Sequence, residues 1–237
     1  MPEGGRLRVV ALISGSGSNL QALIDRQADG LPIAIVAVIS NRADAFGLER
    51  ARRAGIPAEV LDHRDYSGRE PYEAELRTLI DRYAPGLVIL AGFMRILTPA
   101  FVEHYSGRML NIHPSLLPKF RGLQTHQRAL DAEERAHGAS VHFVTPELDG
   151  GPVVIQARLD IHPGEGAATL AQRVLAQEHI IYPRAVGWFA QGRLQLGEDG
   201  RPWLDGAPLM LPIVIDAAAG LETVDDSSEA LAARTRS

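Results

Sequence analysis

The feature that most constrains this chain is an alternation of short apolar runs with longer amphipathic stretches over residues 8–91. Arg8 to Ser14 is apolar and β-branched, Gly15-Ser16-Gly17-Ser18-Asn19 follows it directly, and Leu20, Leu23 and Ile24 then recur at helical spacing. Ile33 to Ile39 repeats the apolar run and leads into Ser40-Asn41; a helix is expected from about Ala45 to Ala54, stopped by Gly55. Ala58 to Leu61 reads as a short strand. Arg69 to Tyr83 reads as a helix with Leu76, Leu79, Ile80 and Tyr83 on its inner face and Pro85-Gly86 as its stop, and Leu87 to Ala91 as a fourth strand. Strands alternating with helices at this pace imply βαβ units, and their near-continuous apolar composition implies a parallel sheet covered on both faces. The expected class is α/β, a Rossmann-like doubly wound and mostly parallel sheet in a single domain.

The second half continues the pattern less regularly. Met109 to His113 reads as a strand, Thr125 to Glu133 as a helix, and Ala139 to Phe143 and Val153 to Leu159 as strands. A long helix is expected from Ala168 to Gln191 with Leu170, Val174, Ile181 and Val186 inward and a kink at Pro183. No internal repeat and no linker precede residue 200. Beyond it Gly200, Pro202, Gly206 and Pro208 break the pattern; Leu209 to Ile215 fits a docked extension or an edge strand, and Ala217 to Ser237 reads as a disordered polar tail. Residues 1–205 are expected to form the folded domain, with 206–237 as a partly disordered C-terminal extension.

Composition removes several function classes. At 237 residues and 46% hydrophobic content, the chain can bury a core unaided. A net charge of -5 without a long basic run argues against a nucleic-acid surface, though not against a local anion pocket. Zero cysteines exclude disulfides, thiolate metal sites and a cysteine nucleophile. The apolar run Val9 to Ile13 is too short for a signal core or a membrane span. The expectation is a soluble cytoplasmic protein acting on small molecules, without nucleic-acid or membrane partners, as a monomer or weak homodimer.

Chemistry concentrates at Met109 to Pro118, where Asn111 and His113 alternate with Leu110 and Ile112 and so project from one strand face. Pro114 ends the ladder, which puts the pair at the carboxyl end of a strand, where open α/β sheets bind ligands. A carboxamide beside an imidazole suits chemistry at a carbonyl carbon. The spacing fits two solvated edge residues equally well. Gly15 to Asn19, between a strand and a helix start, favours an anion such as phosphate. It is no dinucleotide fingerprint, because Leu20 stands where the third glycine is needed and the second strand ends in Ser40-Asn41 without an acid. Nor does it carry the Gly-Lys pair of a Walker loop.

Asp149, in Leu148-Asp149-Gly150-Gly151-Pro152, is the best-placed carboxylate to partner His113; alone, an Asp in such a loop is more often a turn former. His126, His137 and His142 lack ligand spacing, so no metal is expected and they read as structural. The serines form no nucleophile elbow. Glu178 and His179 read as helix-surface residues. Gly92-Phe93-Met94-Arg95-Ile96-Leu97 fits either an apolar wall for a flat ligand or plain core.

Together, Ile13 to Asn19, Ser40-Asn41, Leu90 to Leu97, Asn111 to Pro118 and Leu148 to Pro152 resemble the folate-dependent phosphoribosylglycinamide formyltransferase family, over about Arg8 to Asp205. The resemblance implies transfer of the formyl group of 10-formyltetrahydrofolate, a co-substrate, to the amine of glycinamide ribonucleotide in purine synthesis. It implies Asn111, His113 and Asp149 as the catalytic set and Gly17, Ser18, Asn19 and Glu178 as the ribonucleotide site. It gives Arg69, Met94, Arg95, Ile96, Leu97 and Asn111 to the folate. Three positions depart from that pattern: Gln124 where relatives often have histidine, Arg121 where proline is common, and Leu175 where a polar residue can stand. The wider superfamily leaves two enzyme alternatives, another folate-dependent formyltransferase or a formyltetrahydrofolate hydrolase. A silent folate or nucleotide sensor is the non-enzyme alternative.

Overall fold

The computed structural model describes residues 5–216. In chain order the elements are β1 (Leu7–Ile13), α1 (Ser18–Ala28), β2 (Ile33–Ser40), α2 (Phe46–Arg53), β3 (Ala58–Val60), α3 (Arg69–Arg82), β4 (Leu87–Leu90), α4 (Pro99–His104) and β5 (Met109–His113). There follow α5 (Thr125–Asp131), β6 (Ala136–Phe143), β7 (Val153–Asp160), α6 (Ala167–Ala190), β8 (Leu194–Leu196), β9 (Pro202–Leu204), β10 (Ala207–Pro208) and β11 (Ile213–Asp216).

Eight strands form one sheet in the order β11-β7-β6-β5-β4-β1-β2-β3. Pairings from β3 through β2, β1 and β4 to β5 are parallel, as is β11 on β7, whereas β6 runs antiparallel to both β5 and β7. The sheet is thus mostly parallel, with one reversed strand that the apolar composition of Ala139 to Phe143 did not reveal. A strand buried on both faces reads the same in either direction. Of the two placements open for Leu209 to Ile215, the edge strand holds over Ile213–Asp216. The expected tail Ala217 to Ser237 lies outside the described residues. Sequence periodicity missed α4 and the small antiparallel sheet β8-β9-β10, whose pieces are no longer than six residues.

Two apolar layers sandwich the sheet. One carries Leu20, Leu23, Leu48, Val174, Ile181 and Val186 from α1, α2 and α6 against Val9, Ala11, Leu110 and Ile112. The other carries Tyr72, Leu76, Ile80, Phe101 and Val102 from α3 and α4 against Val10, Leu12, Val88 and Met109. Leu110 and Ile112 face the first layer, so Asn111 and His113, alternating with them, share the face of Met109. Strand order reverses between β1 and β4, which places the site-bearing loops at a switch point of the kind where α/β sheets open a crevice.

Candidate active site

Two loops meet at that switch point. The Gly15–Asn19 segment leaves β1, and Gly92–Leu97 leaves β4; the Ser14 backbone N–H donates to the Gly92 carbonyl at 3.1 Å, and the Met94 N–H donates to Ser14 Oγ at 2.8 Å. Ser14 Oγ in turn donates to Asn41 Oδ1 at 2.6 Å, joining the end of β2 to the same stitch. Gly17 caps α1 in a left-handed conformation with φ 69°. A Cβ there would stand 2.6 Å from the Cα of Gly47, so the loop and the start of α2 touch through two glycines. Backbone N–H groups at the first turn of α1 have no helical partners, which suits them to an anion.

Glu178 arrives from the far end of the chain. It lies on α6 four residues before Tyr182, whose buried hydroxyl is 2.9 Å from the Leu90 carbonyl and 3.1 Å from that of Leu110, fixing the helix across β4 and β5. On the same helix face, Glu178 accepts a hydrogen bond from Asn19 Nδ2 at 2.6 Å. Burial raises the Glu178 pKa, opposed by that bond. Asn19 Oδ1 is buried with no partner. Leu175, half-buried one turn earlier, brings no polar group to this corner.

On β5, Asn111 stands opposite His142 of β6 and donates from Nδ2 to His142 Nε2 at 3.0 Å. His142 Nδ1 lies 2.8 Å from the Phe143 carbonyl, which can only accept, so Nδ1 carries the proton and Nε2 is the acceptor. Burial pushes the His142 pKa down to about 4, which keeps the ring neutral near pH 7. His142, read from sequence as structural, therefore orients the Asn111 amide. The missed signal was pairing across strands, which has no sequence period of its own.

His113 Nε2 lies 3.0 Å from the Phe120 carbonyl and must likewise carry a proton. Its Nδ1 approaches Asp149 Oδ2 at 3.4 Å, an ion-pair approach, with the two side chains 7% and 10% exposed. Asp149 reaches this position by an indirect route. Phe143, at the end of β6, is level with Leu110 near the start of β5, and residues 144–152 then fold back over the sheet face. Gly151 permits the return because a Cβ there would sit 1.8 Å from the Phe143 carbonyl oxygen. Asp149 itself has φ 47°, and its Oδ2 accepts from the Gly122 N–H at 2.9 Å.

Asn111, His142 and Asp149 line a cleft with Leu90, Phe93, Arg95, Ile96, Leu97, Val102 and Val144. Arg95 lies over the Tyr72 ring, 5.8 Å from its centroid. Among the other expected folate residues, Met94 is 66% exposed outside this lining, and Arg69 is exposed at the start of α3. Arg121 is ion-paired with Glu147 at the rim. Gln124 is exposed, with φ 56°, ahead of α5. His126 and His137 pack edge to face, and burial lowers both pKa values. A larger open concavity lined by Glu133, Arg135, Arg158, His162 and Glu165 shares no residue with the cleft. Among the described residues no group of three His, Asp or Glu side chains could hold a metal ion, and no helix is long and apolar enough to cross a membrane.

An amide donor, an imidazole and a carboxylate stand beside an apolar cleft, with a glycine loop at a helix start nearby, and residues 7–186 match the family described as formyl transferase. The chain is 55% identical over 204 residues to phosphoribosylglycinamide formyltransferase of Escherichia coli (strain K12), covering 86% of this chain and 96% of that one. The enzyme of the same name from Haemophilus influenzae is 44% identical over 203 residues, covering 85% and 95%. The solved structure of phosphoribosylglycinamide formyltransferase from Coxiella burnetii in complex with CHES superposes with a TM-score of 0.86 at 54% identity, covering 89% of this chain and 99% of that one. The chain belongs to the formyl transferase family, within its phosphoribosylglycinamide formyltransferase branch.

Proposed function

We propose that this protein transfers the formyl group of 10-formyltetrahydrofolate to the primary amine of glycinamide ribonucleotide, in purine biosynthesis, with Asn111, His113 and Asp149 as the catalytic residues. The observation that carries the reading is the convergence of Asn111 and the His113–Asp149 pair beside one cleft. The ribonucleotide phosphate sits at the first turn of α1, on Gly17, Ser18 and Asn19, and Glu178 takes the ribose hydroxyls. The folate occupies the cleft of Arg95, Ile96, Leu97 and Asn111, whose apolar walls and polar rim suit a flat heteroaromatic ring. Arg69 and Met94, exposed outside the cleft lining, complete the proposed folate set.

The amine attacks the formyl carbon, a C–N bond forms, and the carbonyl oxygen becomes an oxyanion. Asn111 Nδ2 has one hydrogen committed to His142 and a second free to bond that oxygen. With Nε2–H held by Phe120, Nδ1 is the nitrogen at which His113 gains or loses its proton, and Asp149 stabilises the cation formed there. The incoming amine loses a proton to solvent or to Asp149. His113 or a bound water protonates the departing folate nitrogen as its C–N bond breaks. Anchoring the non-reacting phosphate turns its binding energy into positioning of the amine.

The test follows formyl-folate absorbance with and without glycinamide ribonucleotide. Loss that requires the acceptor is expected. Loss without the acceptor identifies a hydrolase, and no loss in either case identifies a sensor.

A further inference from the structure

We propose that Gln156 is a positioning residue for this reaction, acting through Ser140 and the 115–122 loop to hold the His113 ring with Nε2 on the Phe120 carbonyl and Nδ1 toward Asp149. The inference rests on the catalytic reading of His113 given above. His113, Ser140 and Gln156 are successive partners across β5, β6 and β7, so their side chains form one row on the sheet face. Gln156 is only 8% exposed. Packing alone would favour an aliphatic side chain there, because a buried amide costs free energy unless its hydrogens are bonded. Both are bonded: Nε2 donates to the Leu117 carbonyl at 2.9 Å and to Ser140 Oγ at 2.8 Å.

Ser140 passes the constraint on. Its hydroxyl donates to the Ser115 carbonyl at 2.6 Å and accepts from the Leu117 N–H at 3.0 Å. Ser115 Oγ donates to the Lys119 carbonyl at 2.7 Å. The backbone from 115 to 119 is thus tied at three points to side chains that are themselves buried. The next residues make the two contacts that define the catalytic pair. Phe120, at φ 54°, presents its carbonyl to His113 Nε2, and the Gly122 N–H holds Asp149 Oδ2. An imidazole's tautomer is set by the bond its other nitrogen makes. Gln156 therefore holds the Phe120 carbonyl on His113 Nε2–H and the Gly122 N–H on Asp149, which keeps His113 Nδ1 directed at the carboxylate, although it touches neither residue.

The test compares Gln156→Met, of similar length but without donors, with His113→Ala and the double variant in the full-length enzyme. Gln156→Met is expected to lower kcat about tenfold or more while both KM values stay within about twofold, as displacement of a reacting group does. The double variant is expected to be no slower than His113→Ala, because the two substitutions remove one function. Nitrogen-15 spectra should show the neutral His113 ring as Nε2–H in the wild type and as mixed tautomers in Gln156→Met. Should that variant not fold, Ser140→Ala removes the shared hydroxyl with a smaller volume change and carries the same expectations. A wild-type kcat and tautomer in the variant, beside a crippled His113→Ala, overturns the role of Gln156 alone. Full turnover by His113→Ala overturns the underlying assignment, and this proposal with it.

Discussion

Asn111 and His142 face each other across the β5–β6 ladder, and the amide nitrogen of the first donates to the unprotonated Nε2 of the second at 3.0 Å. The bond exists only while His142 is neutral. Burial pushes its folded pKa down to about 4, below the ordinary histidine value of 6.5. Above pH 6.5 both folded and unfolded rings are neutral and the contribution to stability is complete. As pH falls from 6.5 toward 4 the unfolded chain takes up the proton first, and roughly 3 kcal/mol is lost. His137, also lowered to about 4, adds to the slope, whereas Glu178, raised by burial, opposes it. Urea denaturation between pH 7 and 4 should show the decline, and His142→Asn should flatten it; an unaltered slope in that variant would exclude His142 as its source.

The His113–Asp149 approach leads to a second expectation. His113→Ala should lower kcat by roughly 100-fold or more if the ring serves as acid and base. Asp149→Asn removes the charge but keeps the shape, and should slow transfer while leaving ribonucleotide binding near wild type. Steady-state kinetics over a pH series, with binding by calorimetry, separates the two effects. A folded His113→Ala with near-full turnover would contradict the acid–base role.

At the Gly15–Asn19 loop, Gly17→Ala forces a side chain into a left-handed position and to 2.6 Å from the Gly47 Cα. The two segments must separate, which misplaces the backbone N–H groups ahead of α1. The KM for glycinamide ribonucleotide should rise by roughly tenfold, equivalent to about 1.4 kcal/mol, with little change in the folate KM. Equal losses for both substrates would argue against a phosphate site there.

Residues 1–205 are proposed to suffice for catalysis. Truncation after Asp205 removes β11, whose half-buried Ile213 and Ile215 pack on the main core and whose backbone pairs with β7. Turnover should persist while Tm falls by about 4–8 °C, as expected for a loss near 2 kcal/mol in a chain of this size. Loss of activity in a truncated protein that still melts cooperatively would move the catalytic boundary into the extension.

Much of this architecture was written in local pattern. The apolar runs at Val9, Ile35 and Val88, the glycine turn after Ile13 and the alternation around Asn111 are short-range features, because side-chain period and backbone freedom belong to neighbouring residues. α4 had a legible start as well, with Thr98 accepting from the Phe101 N–H and Pro99 in the first turn, but only six residues to show a period.

Other features required the folded chain. The direction of β6 depends on which edge it meets. The reach of Asp149 to His113 depends on a loop that leaves the sheet at the wrong end and doubles back. Asn19 meets Glu178 across 159 residues of sequence. Sequence alone determined the kinds of element and the residue types at their ends, since these follow from interactions within a few residues. Tertiary structure decided which of those residues share a site: strand partnering, tautomer and burial are set by groups distant in the chain, and only packing brings them together.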